Sequence, residues 1–420
     1  MMYAVWLFLL VFSFTGISAC AQVSATDYGA DRTGAADATA AIQQALNAAA
    51  ERGEGSVRLP EGRFRVDGRL VIPAKVTLIG EYPGQGRERG TILLITGGKG
   101  QADGPSAIHL TGSSGLSGVA IVYPEQSPDA EEPTAYPWTI TAGGDARITN
   151  LFLKNSYQGI NLDGSHANLL QGIWGEPLKV GIHVDHVYDI SRIENVHFWP
   201  YFTLGKRLRS WVQAHGVAFE FGRSDWQYIK NAFCYGYRTG FRFFTSKEIP
   251  ERGWPGGATN GQFVGLGADC VGIGLDIEDS FNIGVSIVNS QFAPFGGTDT
   301  RAVLLRKGNT GNISLVNCSF WAVTEALAEV HDGALSLTAC NVHEWAVTKK
   351  QMPAFLQTGG RLAVNGCTFN AGGLVADLQG AESRALFTAN MGVPGMRVVN
   401  RIGTRALVQM NNPRWRVDRR

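Results

Sequence analysis

Between Gly181 and Phe198 the chain reads GIHVDHVYDISRIENVHF, and the rest of the sequence repeats this unit with variations. Ile182 and Val184 alternate with His183 and Asp185, the period of two expected of a strand with one buried face. A polar corner follows. Ile193 opens a second apolar piece, Asn195 interrupts it, and Val196 and Phe198 resume. Aligned on Asn195, the same grammar returns at Asn150, Gly172, Asn231, Asn289, Asn317, Ala339, Gly366 and Asn390. These anchors recur every 22 to 36 residues, except that the interval from Asn231 to Asn289 fits two repeats. Such periods imply stacked units that bury their apolar faces only against neighbours. The repeated pieces are short and rich in Val, Ile and Phe, with no amphipathic helical stretch between them. They predict an all-β solenoid, a single-stranded parallel β-helix. The recurring Asn suits a tight left-handed turn and a side-chain ladder from coil to coil, and Gly172 and Gly366 meet the same backbone need.

A solenoid needs its open end covered. The sequence supplies a helix for this, capped by Asp37 or Thr39 and running to about Ala50, with Ile42, Ala45, Leu46 and Ala49 on one face and Gly53 at its end. Two stretches break the strand pattern. Residues 123–138 are rich in Pro and acid, and residues 245–261 contain Trp254. Both read as excursions from the coils, and such loops often carry function. Tyr123, Tyr136 and Trp138 form a sugar-stacking wall in one reading and hold their loop down in the other.

Length does not force a division into domains, because a solenoid grows by adding coils; residues 22–420 are read as one domain. With a formal charge of +1 over 420 residues, there is no basic excess to suggest a nucleic-acid partner. The closing RWRVDRR reads as a solvated basic tail. Residues 1–21 read as a secretory signal, the apolar run being too short for a persuasive membrane span. Ile17-Ser18-Ala19-Cys20 resembles a bacterial lipoprotein box, so either Cys20 carries a lipid and attaches the chain to a membrane, or cleavage falls before Gln22. Both place the protein outside a bacterial cytoplasm, in the periplasm, on the outer membrane or in the medium. Cys318, Cys340 and Cys367 fall at one interior position of successive coils and read as buried free thiols; nothing suggests a zinc site.

The opening segment carries a more specific signal. Asp27-Tyr28-Gly29-Ala30, then Asp37-x-Thr39-x-x-Ile42-Gln43-x-Ala45, then Gly55-x-Val57-x-Leu59-Pro60-x-Gly62-x-Phe64 resembles the start of the pectate lyase superfamily, in its rhamnogalacturonase-like and epimerase-like branch. The resemblance implies a right-handed parallel β-helix. It spans hydrolases, lyases, epimerases and phage spikes, so it does not decide the chemistry.

Catalytic groups are therefore expected on the outward face of the strand that opens each coil. With Gly159, Gly181, Gly216, Gly240 and Gly274 in register, the second position after each Gly gives Asn161, His183, Ala218, Arg242 and Asp276. The fourth gives Asp163, Asp185, Glu220, Phe244 and Glu278, with Arg306 next. Coils stack at roughly 4.8 Å. Asp163, Asp185 and Glu220 are thus expected to form a row of carboxylates beside His183, one holding a proton and a neighbour ionised, the equipment of glycoside hydrolysis. Substrate contacts are expected from Arg242, Asp276, Lys179 and Arg238 and from the aromatic rings of Trp199, Tyr201 and Trp254. A solvated outward charge is the ordinary alternative at each of these places. His186 and His197 read as surface or satisfied residues, and Asp189 and Asp225 as turn formers.

The reading reached is an exported, polysaccharide-degrading glycoside hydrolase that requires no cofactor. One alternative is a lyase or epimerase acting on uronate glycans, with Ca²⁺ on the acidic row and Arg242, Lys179, Arg238 or His183 as base. Another is a non-catalytic carbohydrate-binding or surface-assembly protein.

Overall fold

A computed structural model describes residues 22–84, 87–199, 204–349, 351–410 and 415–419; the signal segment, Cys20 and Tyr201 lie outside the described residues. Every ladder between successive coils is parallel, and the strands gather into two long sheets, one of 23 and one of 14 strands. The chain is a parallel β-helix. Each typical coil places one strand in the smaller sheet, turns a corner, and then runs through the larger sheet in two pieces joined by a sharp bend.

That bend is the recurring Asn. Asn150, Asn195, Asn231, Asn289 and Asn317 all have φ between 52° and 54°, as does Ala339 at 52°; Gly172 and Gly366, with glycine's freedom, lie in the same left-handed region at 67° and 62°. Asn accepts this left-handed conformation more readily than other chiral residues. Its side chain also links coils: Asn231 Nδ2 donates to Asn195 Oδ1 at 3.1 Å, and Asn317 Nδ2 to Asn289 Oδ1 at 2.8 Å. The two coils expected between Asn231 and Asn289 are present, with Gly265 (φ 68°) at the bend. In the last of these coils the bend falls at Ala389, not at Asn390. Asn390 is buried instead, accepting from Cys367 N and donating to Val364 O.

Inward side chains stack as continuous columns, such as Phe198, Phe219 and Phe241, whose successive ring centroids are 5.2 and 4.8 Å apart. Helix α1 (Thr39–Arg52) closes the N-terminal end with Ile42, Ala45, Leu46 and Ala49 fully buried and Gly53 ending it at φ 68°. Ala38 occupies the cap position, yet Asp37 Oδ1 still receives the Thr39 N–H. Cys318, Cys340 and Cys367 are buried free thiols, as expected.

The sequence pattern missed two elements. Helix α2 (Lys206–His215) lies in the connection after Phe198, burying Leu208 and Val212. The closing residues Arg416–Arg419 are a strand of the smaller sheet, anchored by buried Trp415, so the basic tail is built into the solenoid.

Candidate active site

Helix α2 decides the register of the site. Gly216 receives the helix's last turn through a hydrogen bond from its N–H to Val212 O, and the following strand begins at Val217. Ile182 stands opposite Phe219 and Phe219 opposite Phe241, so Ala218, not Gly216, takes the place of Gly181 and Gly240. Glu220 is thereby moved two residues along the strand. The expected row Asp163, Asp185, Glu220 does not exist; Gly222 stands where the third carboxylate was placed.

Glu220 instead joins the neighbouring outward row. Reading along coils, the row runs Asn161, His183, Glu220, Arg242, Asp276. His183 Nδ1 lies 2.8 Å from Glu220 Oε1, and Arg242 Nη1 lies 3.3 Å from Glu220 Oε2. Arg242 also donates from Nε and Nη2 to Glu278 Oε1 at 2.9 and 2.7 Å. Arg306 forks onto both oxygens of Asp276 at 2.6 and 2.9 Å. Burial pushes the Glu220 carboxyl up, but the His183 hydrogen bond and charge, with Arg242, outweigh it and hold the group below the usual carboxylate range.

A carboxylate only accepts, so His183 donates to Glu220 from Nδ1; in the neutral ring the lone pair is then on Nε2, which has no partner among the described residues. The ring is flanked by Trp138 at 5.6 Å and Phe244 at 5.7 Å between centroids. Trp138 therefore stands on the same outward face as His183. Tyr123 and Tyr136 do not: both are buried, packed edge to face at 4.7 Å, and they hold the 123–138 loop down.

Next to this row, Asp163 and Asp185 come together around a residue the sequence reading set aside. His186 Nδ1 is 2.7 Å from Asp163 Oδ1 and 3.4 Å from Asp185 Oδ2. Its Nε2 is 2.9 Å from the Lys247 carbonyl and 3.0 Å from Ser246 Oγ. A carboxylate on one side and a carbonyl on the other both require N–H groups, so the geometry suits the imidazolium. Burial pushes the His186 pKa down; the Lys247 carbonyl, the Asp163 hydrogen bond and the charges of Asp185 and Asp163 outweigh it and raise the group above its ordinary value. Trp254 from the 245–261 excursion covers the ring, with centroids 5.1 Å apart. Asp163, Asp185 and His186 bring ligand atoms within 4.8 Å of one another. With both ring nitrogens spent as donors, the set does not suit a cation. No sequence signal marked His186, because its partners come from a preceding coil and from the excursion.

Several expected contacts lie elsewhere. Lys179 sits over the Tyr157 ring at 5.2 Å, and Arg238 donates to the Thr298 carbonyl near α2. Trp199 stacks with His197 on the larger sheet, and His197, half-buried, is packed among the rings of Trp174, Trp199 and Phe233. Asp189 and Asp225 are structural: Asp189 Oδ1 accepts from Ile190 N, and Asp225 binds Arg223 and Asn260.

Residues 22–102 match the family described as rhamnogalacturonase A/epimerase, pectate lyase-like, a stretch that ends before the first of the site residues. A mannuronan C5-epimerase, AlgE3, of Azotobacter vinelandii is 44% identical over 66 residues, or 14% of this chain and 4% of that protein. Alginate lyase 7 of the same organism is 38% identical over 71 residues, covering 15% and 8%. The chain thus spans only a small part of these relatives. Among solved structures, the A-module of the Azotobacter vinelandii mannuronan C-5 epimerase AlgE6 aligns over 94% of this chain and 98% of its own at 14% identity, with a TM-score of 0.56. The Streptococcus pneumoniae surface adhesin PfbA aligns over 90% and 99% at 15% identity and TM-score 0.57. At such identities these likenesses bear on the fold alone. The chain therefore has the parallel β-helix fold of these structures, and its opening segment, residues 22–102, is of the rhamnogalacturonase A/epimerase, pectate lyase-like type.

Proposed function

We propose that this protein modifies a uronate-containing polysaccharide by removing the proton beside the sugar carboxylate, the step shared by lyases and C5-epimerases. The observation that carries this reading is the His183–Glu220 pair, which presents Nε2 of His183 as a base between Trp138 and Phe244. Nε2 takes the C5 proton. Glu220 keeps the tautomer and stabilises the imidazolium that forms. Arg242 retains two N–H donors after its bonds to Glu220 and Glu278, and these can meet the uronate carboxylate as negative charge builds on it. Breaking of the C4–O bond, with the departing oxygen taking a proton from the imidazolium or from water, then gives elimination, and a proton delivered to C5 from solvent on the other face gives epimerisation. The names of the two partial relatives, an epimerase and a lyase acting on mannuronan and alginate, support the same class.

Hydrolysis is the second reading. Glu220, ionised and doubly paired, does not suit the general acid, but Asp163 and Asp185 stand on adjacent coils with oxygens inside 4.8 Å, near the separation of about 5 Å used by retaining glycosidases. Incubating polyuronates with the protein in D₂O separates the readings. Deuterium at C5, or unsaturated chain ends, that disappears in His183→Ala supports proton abstraction. New reducing ends without either signal would sink it in favour of hydrolysis.

A further inference from the structure

The asparagine ladder is interrupted at Gly265, and the gap opens a groove of about 330 Å³ on the larger sheet, away from the strands that carry His183. On one side, Asn231 spends Nδ2 on Asn195, so its Oδ1 faces Gly265; a Cβ on that glycine would lie 2.8 Å from this oxygen. On the other side, Asn289 receives Asn317 on its Oδ1, and its Nδ2 has no partner among the described residues. The break therefore leaves an acceptor and a donor aimed at one space from opposite walls.

The groove has further features of a ligand site. Small residues, Gly267 and Ala293, leave two coils low between Phe233 on one flank and Trp321 on the other. Trp321 is 39% exposed and packs at 6.5 Å against Phe295, which is also exposed. An indole left open in this way costs stability unless something covers it. Asp269 lines the groove with a buried Oδ1 that has no hydrogen-bond partner, and burial raises its pKa. Gln291 adds an exposed amide. Neither Lys nor Arg lines the space, so an anionic ligand has nothing to neutralise it. The volume falls within the range of about 300–1,000 Å³ typical of small-molecule sites.

We propose that this groove is a second, non-catalytic glycan-binding site that takes a neutral hexose unit, its apolar face on Trp321 and its hydroxyls on Asn231, Asn289 and Asp269. Carboxamides and a carboxylate match hydroxyl groups, and a flat ring face matches an indole. A site of this kind would hold the protein on a neutral polysaccharide while the His183 face acts on another chain. It stands on its own residues and does not depend on the reaction assigned to His183.

The test uses the full chain and a panel of neutral hexasaccharides built of glucose, mannose or galactose, followed by titration calorimetry and tryptophan fluorescence. Wild type is expected to bind at least one of them, and Trp321→Ala to weaken that binding about tenfold or more, equivalent to about 1.4 kcal/mol. Gly265→Asn is the cleaner variant. Asn tolerates the left-handed bend and completes the ladder once the flexible Asn231 amide turns out of its 2.8 Å approach, so this chain should keep its melting temperature while losing binding at least tenfold. Deuterium exchange at C5 of a short soluble polyuronate should be unchanged in both variants. The proposal fails if no neutral hexasaccharide binds at millimolar concentration, if both variants bind as wild type does, or if Trp321→Ala alters self-association in sedimentation while leaving glycan binding intact.

Discussion

Nδ1 of His183 lies 2.8 Å from Oε1 of Glu220 although 36 residues separate them along the chain, because one whole coil with its own helix intervenes. Glu220 is fixed on its other side by Arg242, so it acts on the imidazole as an ionised acceptor. Glu220→Gln keeps the shape but can donate to Nδ1, turning the ring to the tautomer with its proton on Nε2. Turnover is expected to fall by about 10²–10⁴-fold with little change in KM, and His183→Ala by at least as much. Initial rates on a polyuronate, with melting curves to show that both variants fold, check this. A Glu220→Gln enzyme with wild-type kcat overturns the role of the pair.

His186 and Glu220 shape the pH dependence of stability from opposite sides. The folded-state pKa of His186 is raised, so its contribution is complete below its ordinary value of about 6.5 and fades as pH rises through the folded value. That of Glu220 is lowered, so its contribution is complete above the ordinary carboxylate range and fades as pH falls through the folded value. Melting temperatures of wild type and His186→Gln should therefore differ most below about pH 6.5 and converge in alkali. The indole of Trp254, packed against the His186 ring, should report the same change by fluorescence. A difference constant across the pH range would show that His186 acts by packing alone.

The ring of His186 occupies the position between Asp163 and Asp185 that a cation would otherwise take. Adding millimolar Ca²⁺ or EDTA is accordingly expected to leave wild-type melting temperature and C5 exchange unchanged. His186→Ala leaves two uncompensated carboxylates, which should acquire a Ca²⁺-dependent rise in melting temperature that the wild type lacks. Stabilisation of the wild type by Ca²⁺, abolished by Asp163→Asn, would mean that the row holds metal after all.

Most of the fold was legible because a β-helix repeats its grammar. The period of two along each strand, the Asn or Gly at most of the bends and the apolar face of α1 all state local requirements that one residue or one face satisfies. The site was legible only in part. His183, Asp163, Asp185, Arg242 and Asp276 follow from counting along strands, but Glu220 does not, since α2 consumes Gly216 as its terminus and shifts the register by two. Leu208 and Val212, one turn apart, were the available sign of that helix, in a stretch otherwise dominated by charge and by aromatic residues. His186 was hidden for another reason: its partners Asp163 and Lys247 are distant in sequence, and no periodic pattern links a corner to an excursion.

Gly222 is the physical cost of bringing these groups together. A Cβ there would lie 2.3 Å from Asp185 Oδ1 and 2.6 Å from Phe244 Cζ, so the glycine gives room to both the carboxylate and the ring that flanks His183. Gly222→Ala is expected to destabilise the protein by about 1–3 kcal/mol through overpacking. Because the displaced groups belong to the site, the same variant should lower kcat more than Gly55→Ala, a change where the nearest atom to a new Cβ, the Lys75 carbonyl oxygen, lies at an ordinary 3.8 Å. Urea unfolding and initial rates give both numbers, and a Gly222→Ala protein as stable and active as wild type would show that the site tolerates the shift.

Ala339 occupies a bend that Asn fills in the preceding coils. At φ 52° an alanine bears the strain of the left-handed region without any side-chain bond in return. Its neighbour Asn317 spends Nδ2 on Asn289, which leaves Oδ1 facing the coil of Ala339. Ala339→Asn should extend the ladder by one rung and stabilise the protein by about 1 kcal/mol, from the conformational preference and one exposed hydrogen bond. Ala339→Gly isolates the first term, since glycine relieves the strain but cannot bond. If urea unfolding finds the two variants equally stabilised, the ladder contributes nothing beyond geometry; if Asn exceeds Gly, the side-chain rungs themselves hold the coils in register, which is the property the glycine break at Gly265 gives up.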